Sequence, residues 1–309
     1  MWGHERAWIG LLTGLLLWFG TGDAAADEEV RVRHSDGRVV AVPLDPYVER
    51  SVEAEVYASW PDETLKAQAV ISRTYALYER GRNAASPHDV EASVLSQVYA
   101  ESEVSSRVRS ASRATRGQYL SYEGAPILAA FHASSGGRTA SAEEVWGLNL
   151  PYLRMVASPD DAAPDYFWSY EIELADLLDA LREAGYAAAA ERGEPVRIES
   201  RSESGRVAWI EIGEVRLSGH ELRQVLGGRA RRSARFEVRR SGTGVRFLGS
   251  GAGHGVGLCQ WGARELALQG RTYAEILAHY YPGTRLARLD GTAPAEERGA
   301  ETTGRGPRP

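Results

Sequence analysis

The spacing of apolar positions predicts helices and strands in mixed order. Residues 27–43 alternate in polarity around an Asp-Gly turn at 36–37, a pattern typical of a β-hairpin. Between residues 46 and 56 the apolar positions recur every fourth residue, which predicts an amphipathic helix. A second helix is predicted from Pro61, at its first position, to about residue 80. These two helices are expected to form an αα pair.

The rest of the chain predicts short elements of both kinds and hence the α+β class. Loops rich in glycine follow the predicted strands ending at residues 131 and 248, and the arginine-rich segment 228–235 is interpreted as a solvated loop. Strands are predicted at 118–122, 127–131, 196–200, 207–212, 236–238 and 245–248, and helices at 171–185, 220–226, 258–269 and 273–280.

The two ends of the chain differ in composition from its middle. Residues 1–26 hold a charged start, an apolar stretch and three alanines at 24–26, which predicts a secretory signal peptide. The apolar stretch is shorter than the roughly 20 residues of a membrane span, so no stable membrane insertion is expected after cleavage. Residues 291–309 are polar and predict a disordered tail. Residues 27–290 are therefore interpreted as one domain of a secreted, periplasmic or cell-wall-associated protein.

Composition excludes several functional classes. The 309 residues are 43% hydrophobic and 25% charged, as in an ordinary globular protein, and the net charge of -6 argues against nucleic-acid binding. Lys66 is the single lysine, so Schiff-base chemistry would rest on it alone. Cys259 is the single cysteine, which excludes an intrachain disulfide. No paired Cys or His spacing indicates a metal site, and we expect none.

Glu55 is the first candidate for chemistry. It lies on the inward, mainly apolar face of the first predicted helix. Partial desolvation keeps a carboxyl protonated nearer neutral pH, as a general acid requires. The alternative is a helix-end carboxylate that caps the next turn or pairs with Arg73. On the second helix Gln68, Arg73 and Tyr75 are candidate sugar or carboxylate ligands, against the alternative of a helix with its charges in solvent.

The two glycine-rich loops supply the other candidates. The first contains His132 and Ser134 but lacks the Gly-x-Ser-x-Gly pattern of a nucleophile elbow, so it is either a binding loop or a plain turn. The second fits neither dinucleotide nor P-loop spacing, and the helix behind it offers N–H groups to an anion such as a lactyl carboxylate. There His254 and Cys259 form a thiolate-imidazole pair, or Cys259 is a small packed hydrophobe.

Three blocks of sequence resemble the SpoIID/LytB family of bacterial cell-wall proteins. Their order and combination are specific, and with the intervening strands they cover about residues 30–289. The blocks are YV at 47–48 with Glu55, WPDETLKAQAV at 60–70 and RTY at 73–75; FH at 131–132 with GGRT at 136–139, VW at 145–146 and PYL at 151–153; and GHGVG at 253–257 with QWGA at 260–263 and HYYPG at 279–283.

The resemblance implies a peptidoglycan lytic transglycosylase without a cofactor. In this family one glutamate cuts the MurNAc-GlcNAc bond and leaves a 1,6-anhydro-MurNAc end, and that glutamate falls on Glu55. The partners implied are glycan strands stripped of stem peptides and a cell-wall amidase, and the fold is a single domain whose helices and antiparallel strands form a glycan-binding cleft. The substrate-binding positions implied are Gln68, Arg73, Tyr75, His132, Ser134, Ser135, Gly136, Gly137, His254, Gln260, Tyr280 and Tyr281.

Two departures bear on this expectation. Some sporulation members hold zinc through extra Cys and His residues near the His132 block, but residues 133–144 contain neither, so the metal is not carried over. Members of the LytB type are described as enhancers of an amidase. The alternative function is therefore a non-catalytic peptidoglycan-binding activator of such an enzyme, and a Cys or Ser hydrolase is a third.

Overall fold

The computed structural model describes residues 28–91, 103–164, 166–187, 196–227 and 232–292. The predicted signal peptide, nearly all of the predicted tail and residues 228–231 of the arginine-rich segment lie outside this range. The fold is α+β, as predicted. Small sheets pack among helices, and strand pairing is antiparallel except where β3 joins β1 and β13 joins β6.

The elements follow one another in a mixed order. The strands are β1 (Glu29–Arg33), β2 (Val39–Pro43), β3 (Val90–Glu91), β4 (Gln118–Tyr122), β5 (Ala125–Pro126), β6 (Phe131–His132), β7 (Phe167–Glu173), β8 (Val196–Arg201), β9 (Val207–Ile212), β10 (Val215–Leu217), β11 (Phe236–Ser241), β12 (Gly244–Ser250), β13 (Leu258–Cys259) and β14 (Arg285–Arg288). The helices are α1 (Leu44–Glu55), α2 (Asp62–Arg82), α3 (Ser106–Ala114), α4 (Ala142–Trp146), α5 (Leu174–Glu183), α6 (Gly219–Val225), α7 (Gln260–Leu268) and α8 (Tyr273–Tyr280).

Helix α2 runs between two hydrophobic cores. Leu65 and Ala69 pack with α1 and the β1–β2 hairpin in one core. Val70 and Ile71 pack with β4, α8 and the glycine-rich segments in the other. Because both faces of α2 are covered, most of its side chains from residue 64 to residue 77 are buried, and its alanines allow close packing. The predicted αα pair and hairpin are confirmed.

An insert of residues 167–250 has a third hydrophobic core of its own. It contains the antiparallel sheets β11-β12-β7 and β10-β9-β8 together with α5 and α6. Leu177 and Leu181 of α5 meet Ile210, Phe236 and Phe247 of the sheets there. The insert lies in the chain between the two glycine-rich loops.

Three predicted elements differ from the structure. Residues 127–130 do not form the predicted strand, although the Ile127 N–H donates to the Leu120 carbonyl and the Ala130 carbonyl accepts from the Leu258 N–H. The helix predicted from residue 258 begins at Gln260, because Leu258 and Cys259 form β13 and pair with β6. The helix predicted from residue 171 begins at Leu174. Its first residues belong to β7, where Tyr170 and Ile172 oppose Phe247 and Val245 of β12. Long-range pairing of β7 outweighs the local helical period there.

Within the described ranges, no helix combines the length and the apolar character that crossing a bilayer requires.

Candidate functional site

Two cavities meet at Glu55, the last residue of α1. The larger has a volume of about 680 Å³ and the smaller about 440 Å³, and the Glu55 side chain lines both. Helix α1 ends there because Val56 adopts an extended conformation that turns the chain toward α2. A polymer lying through both cavities would therefore pass the Glu55 carboxyl.

The larger cavity combines aromatic and charged side chains. Tyr75 of α2 lies on one wall, and Trp146 and His254 lie on another with their rings 5.2 Å apart. Burial raises the pKa of the Tyr75 hydroxyl. Besides Glu55 and His254, the ionisable residues that line this cavity are Glu79, Arg82, His88, Asp89 and Glu91.

The smaller cavity has an aromatic wall. Trp60 and Trp261 meet edge to face with ring centroids 5.0 Å apart, and Tyr57 lies 5.6 Å from Trp60. Ser134 and Gln260 also line this cavity. Aromatic faces with a few hydrogen-bonding groups suit the apolar faces and hydroxyl edges of a sugar.

Glu55 is the partly buried acid of the site. Desolvation raises the pKa of its carboxyl, and a hydrogen bond from Gln260 opposes that rise. Gln260 Nε2 lies 3.4 Å from Glu55 Oε2 and 3.5 Å from Gln68 Oε1, so the two glutamines support the carboxyl from below. The raised pKa keeps a proton on Glu55 to higher pH than on an exposed glutamate.

Arg73 lies apart from Glu55. It is fully buried, donates to the carbonyl oxygens of Thr115 and Gln118 at 2.9 and 3.0 Å, and pairs with Asp45 at 3.6 Å. Burial lowers the pKa of its guanidinium to about 10, so it stays charged at neutral pH. The alternative in which Glu55 pairs with Arg73 is therefore wrong.

The buried Asp160 organises the first glycine-rich loop. Its carboxylate accepts hydrogen bonds from the Ser134 hydroxyl at 2.6 Å and from the backbone N–H groups of Gly136 and Gly137 at 2.9 and 2.8 Å. Gly136 has φ +70°, and a Cβ there would collide with Ser250. Three donors on one buried carboxylate make the loop a rigid part of the cavity wall.

His132 supports the same loop from beneath. Burial drives the pKa of its imidazole well below the usual value, so the ring is neutral. Nδ1–H donates to the Val256 carbonyl at 3.2 Å, and Nε2 accepts from the Ser135 hydroxyl at 2.8 Å. These bonds tie one glycine-rich loop to the other.

His254 is also neutral near pH 7. Burial lowers the pKa of its imidazole to about 4. Nδ1 accepts a hydrogen bond from the Val256 N–H at 3.0 Å, which leaves Nε2–H to donate to the Phe131 backbone. Because both ring nitrogens are hydrogen-bonded to the backbone, the ring is held at the cavity wall as a fixed stacking surface.

Cys259 is a packed core residue. Its thiol is buried and its pKa is raised to about 12 by desolvation, so no thiolate forms at neutral pH. Sγ accepts from the Gly262 N–H at 3.4 Å at the start of α7. The thiolate-imidazole hypothesis is wrong, and a Ser134 nucleophile lacks a histidine because its hydroxyl donates to Asp160.

Family models match two parts of the chain. A model described as stage II sporulation protein matches residues 33–122, which contain Glu55 and α2. A model described as a domain of unknown function matches residues 154–257, which contain the insert.

Whole-chain relatives identify the family. Stage II sporulation protein D of Bacillus amyloliquefaciens is 32% identical over 275 residues, which cover 84% of this chain and 78% of that protein. The chain belongs to the stage II sporulation protein D family. An uncharacterized protein of Brachyspira hyodysenteriae is 36% identical over 78% of this chain, which spans 65% of that relative's length. An amidase enhancer of Bacillus subtilis is 28% identical over 75% of this chain and 39% of its own length.

The structure divides the family positions predicted from the sequence into two groups. Glu55, Tyr75, Ser134, His254 and Gln260 line the two cavities. The others line neither cavity and form the layer beneath them; these are Gln68, Arg73, His132, Ser135, Gly136, Gly137, Tyr280 and Tyr281.

Tyr280 and Tyr281 show why the second group is buried. The Tyr280 hydroxyl lies 2.9 Å from Ser158 Oγ, and the Tyr281 hydroxyl donates to the Ala130 carbonyl at 2.7 Å. Both side chains are fully buried, so they hold the backbone behind the cavity wall.

Sequence reasoning missed Asp160 and Arg206, which support the first loop. Arg206 reaches from the insert and donates to the carbonyl oxygens of Ser135 at 3.1 Å and Arg138 at 3.3 Å. Burial lowers its pKa to about 10. Neither residue belongs to a periodic or motif pattern, so no sequence signal identifies them.

Proposed function

We propose that this protein is a peptidoglycan lytic transglycosylase of the cell wall. It cleaves the MurNAc-GlcNAc bond of glycan strands stripped of stem peptides, and Glu55 is the general acid and base. Family membership supports a cell-wall-related role. The observation that carries the finer proposal is the position of Glu55, a desolvated carboxyl with a raised pKa where two sugar-sized cavities meet.

The reaction requires one carboxyl that acts twice. Protonated Glu55 donates its proton to the glycosidic oxygen, and the bond from that oxygen to C1 of MurNAc breaks. The C6 hydroxyl of the same MurNAc then bonds to C1 and gives its proton to the Glu55 carboxylate. The products are a 4-hydroxyl end on GlcNAc and a 1,6-anhydro end on MurNAc. The acid is regenerated, and no water is consumed.

The other cavity carboxyls are less suited to this role. Arginine partners lower the pKa of Asp89 and Glu91, the opposite direction to Glu55. Glu53 lines the smaller cavity, and its Oε2 accepts a hydrogen bond from the Ser105 N–H at 3.0 Å. When surroundings move the pKa values of two carboxyls in opposite directions, the two have different roles, and the carboxyl with the raised pKa is the acid.

The cavities offer sugar contacts on both sides of Glu55. Tyr57 and Trp261 would stack on the sugars bound in the smaller cavity. Trp146 and Tyr75 would do so in the larger cavity, where Arg82 offers a cation to a lactyl carboxylate. A strand held on both sides presents its scissile bond at Glu55.

The second candidate is a non-catalytic activator of a cell-wall amidase. The similarity to a protein named amidase enhancer favours it. It uses the same cavities to bind glycan but needs no proton transfer, so Glu55 would serve only as a hydrogen-bonding group.

Mass spectrometry of denuded and intact strands distinguishes these functions. Wild type is expected to release fragments one water lighter than hydrolysis products, and Glu55→Gln is expected to release none while still binding strands. Glu53→Gln is the matched control, because it removes a carboxylate from the same cavity and is expected to stay active. Intact strands in all reactions would favour the activator, whereas reducing ends and an inactive Glu53→Gln would indicate hydrolysis with two carboxyls.

A further inference from the structure

The outer face of the sheet β11-β12-β7 carries a groove of about 500 Å³ that the proposed reaction does not use. Alternate residues of a strand face opposite sides of a sheet. Phe236 and Phe247 therefore point into the core of the insert, and Glu237, Arg239 and Leu248 line the groove from the outer face. Phe236 and Trp168 also line the groove, but they reach it from the core side of the sheet. A solvated sheet face normally carries isolated polar side chains rather than a formed groove.

The groove presents an aromatic side chain to solvent. Phe167 is 79% exposed, more than any other large hydrophobic side chain in the described part of the chain. Its ring meets Tyr166 edge to face with centroids 4.7 Å apart, which fixes its orientation. Trp168 lies beside it over Gly249, where a Cβ would collide with the indole. A held, exposed phenyl ring costs hydrophobic free energy unless a ligand covers it.

The groove also has unneutralised positive charge. It is lined by three arginines (201, 235 and 239) and by Glu237, a net of +2. Arg201 pairs with Glu237 at 2.7 Å. Among the described residues, no carboxylate lies within ion-pair distance of Arg235 or Arg239. Arg235 instead donates to the Gly136 carbonyl of the first glycine-rich loop at 2.8 Å.

The groove lies close to the smaller cavity of the candidate site. Pro164 and Ala252 line that cavity, and Phe167 and Ser250 line the groove. The three positions from Pro164 to Phe167 separate their Cα atoms by at most about 11 Å. One extended polymer can therefore contact Glu55 and the groove together.

We propose that this groove is a second glycan-binding site for the part of a denuded strand that extends beyond the smaller cavity. The inference rests on the proposed function for its choice of ligand. Sugar rings would stack on Phe167, and the lactyl carboxylates freed by removal of stem peptides would pair with Arg235 and Arg239. A phosphate-bearing wall polymer would satisfy the charge but not the aromatic surface.

Binding to full-length Glu55→Gln protein tests this site without cleavage. Affinities for long denuded strands and for tetrasaccharides would be measured in this background with Phe167→Ala, Phe167→Tyr and Arg239→Ala added. Leu268→Ala and Arg240→Ala are matched controls: Leu268 is an exposed apolar residue outside the groove, and Arg240 is the next residue of β11, on the opposite face.

We expect Phe167→Ala and Arg239→Ala to weaken binding of long strands about tenfold, with no change for tetrasaccharides. Phe167→Tyr, which keeps the ring, and both controls should bind like the parent. Equal losses on both ligands, losses no larger than in the controls, or a preference for a phosphate polymer would each overturn the proposal. The readout is binding, so the proposed site is judged separately from whether wild type cleaves glycan.

Discussion

Gln260 Nε2 lies 3.4 Å from Glu55 Oε2 and joins the start of α7 to the end of α1 across 205 positions of sequence. The amide stabilises the carboxylate form and partly offsets the desolvation that raises the pKa of Glu55. The pKa of Glu55 is therefore set by two opposing contributions: burial raises it, and the hydrogen bond from Gln260 lowers it. Only the second can be removed by a conservative substitution.

Gln260→Met is expected to raise the pKa of Glu55 further, because it removes the donor and keeps the side-chain length. Glu55 must be protonated at the start of the reaction, so the decline of kcat/KM at high pH should move upward in pH. Release of anhydro products measured across pH checks this. Gln269→Met makes the same chemical change at the exposed end of α7 and should leave the profile in place. A decline that stays fixed or moves downward in Gln260→Met contradicts the assignment.

Glu55→Gln is expected to stabilise the fold near neutral pH. A carboxyl whose pKa is raised on folding binds its proton more tightly in the native state, so stability falls as pH rises through that range. Glutamine carries no charge and avoids this loss. We expect Tm to rise by about 1–3 °C at pH 7, and the gain to vanish near pH 4, where the unfolded carboxyl is also protonated.

Thermal unfolding of wild type, Glu55→Gln and Glu53→Gln at both pH values measures this effect. Glu53→Gln should show no comparable gain, because Glu53 already accepts a backbone hydrogen bond from Ser105. A Tm of Glu55→Gln at or below that of wild type at pH 7 would mean that Glu55 is not a desolvated acid.

Local periodicity explains which parts of the fold were predictable. Helix α1, the hairpin before it and helix α8 follow from repeats within a few residues, and the structure has them with small changes at the ends. Strand β7 was missed because its partner β12 lies more than 70 positions away. A helical period in one segment carries no information about such a partner.

The candidate site was likewise predictable where the signal is local in the sequence and not where it depends on distant contacts. Glu55 was identifiable because its helix face is readable from sequence, and Gln260 because it lies in a family block. The roles of His132 and Tyr281 were not identifiable, since family motifs do not separate residues that line a cavity from those that hold its backbone. Asp160 orders the first loop by accepting hydrogen bonds from three donors that are distant in sequence, and no motif identifies such an acceptor.

Cys259 is expected to be inert in the folded protein. Its thiol is fully buried and its pKa is raised to about 12, so iodoacetamide at pH 8 should label it only after unfolding. Cys259→Ser should keep glycan cleavage while lowering Tm, because a buried hydroxyl replaces a thiol in the core. Mass spectrometry of native and denatured protein after labelling measures this. Rapid labelling of the native protein together with loss of cleavage would instead support the hypothesis that Cys259 is a nucleophile.

Arg206 is expected to hold the first glycine-rich loop in place through its hydrogen bonds from the insert. Arg206→Met leaves the buried Ser135 carbonyl and the part-buried Arg138 carbonyl without their donor and should cost about 2–3 kcal/mol. That cost corresponds to a fall in Tm of roughly 5–10 °C. Because the loop forms one wall of the smaller cavity, kcat for glycan cleavage should fall as well, although the pKa of Glu55 is left unchanged.

Arg216→Met is the control for this prediction, since Arg216 lies in the same insert, pairs with the exposed Glu199 and covers the Trp209 ring. An exposed ion pair contributes about 0–1 kcal/mol, so its loss should change Tm little and kcat not at all. Equal effects of the two substitutions would mean that the insert is stabilised as a whole and does not position the loop. A fall in kcat confined to Arg206→Met would mean that Arg206 acts through the first glycine-rich loop, because it donates to Ser135 and Arg138 there and lines neither cavity at Glu55.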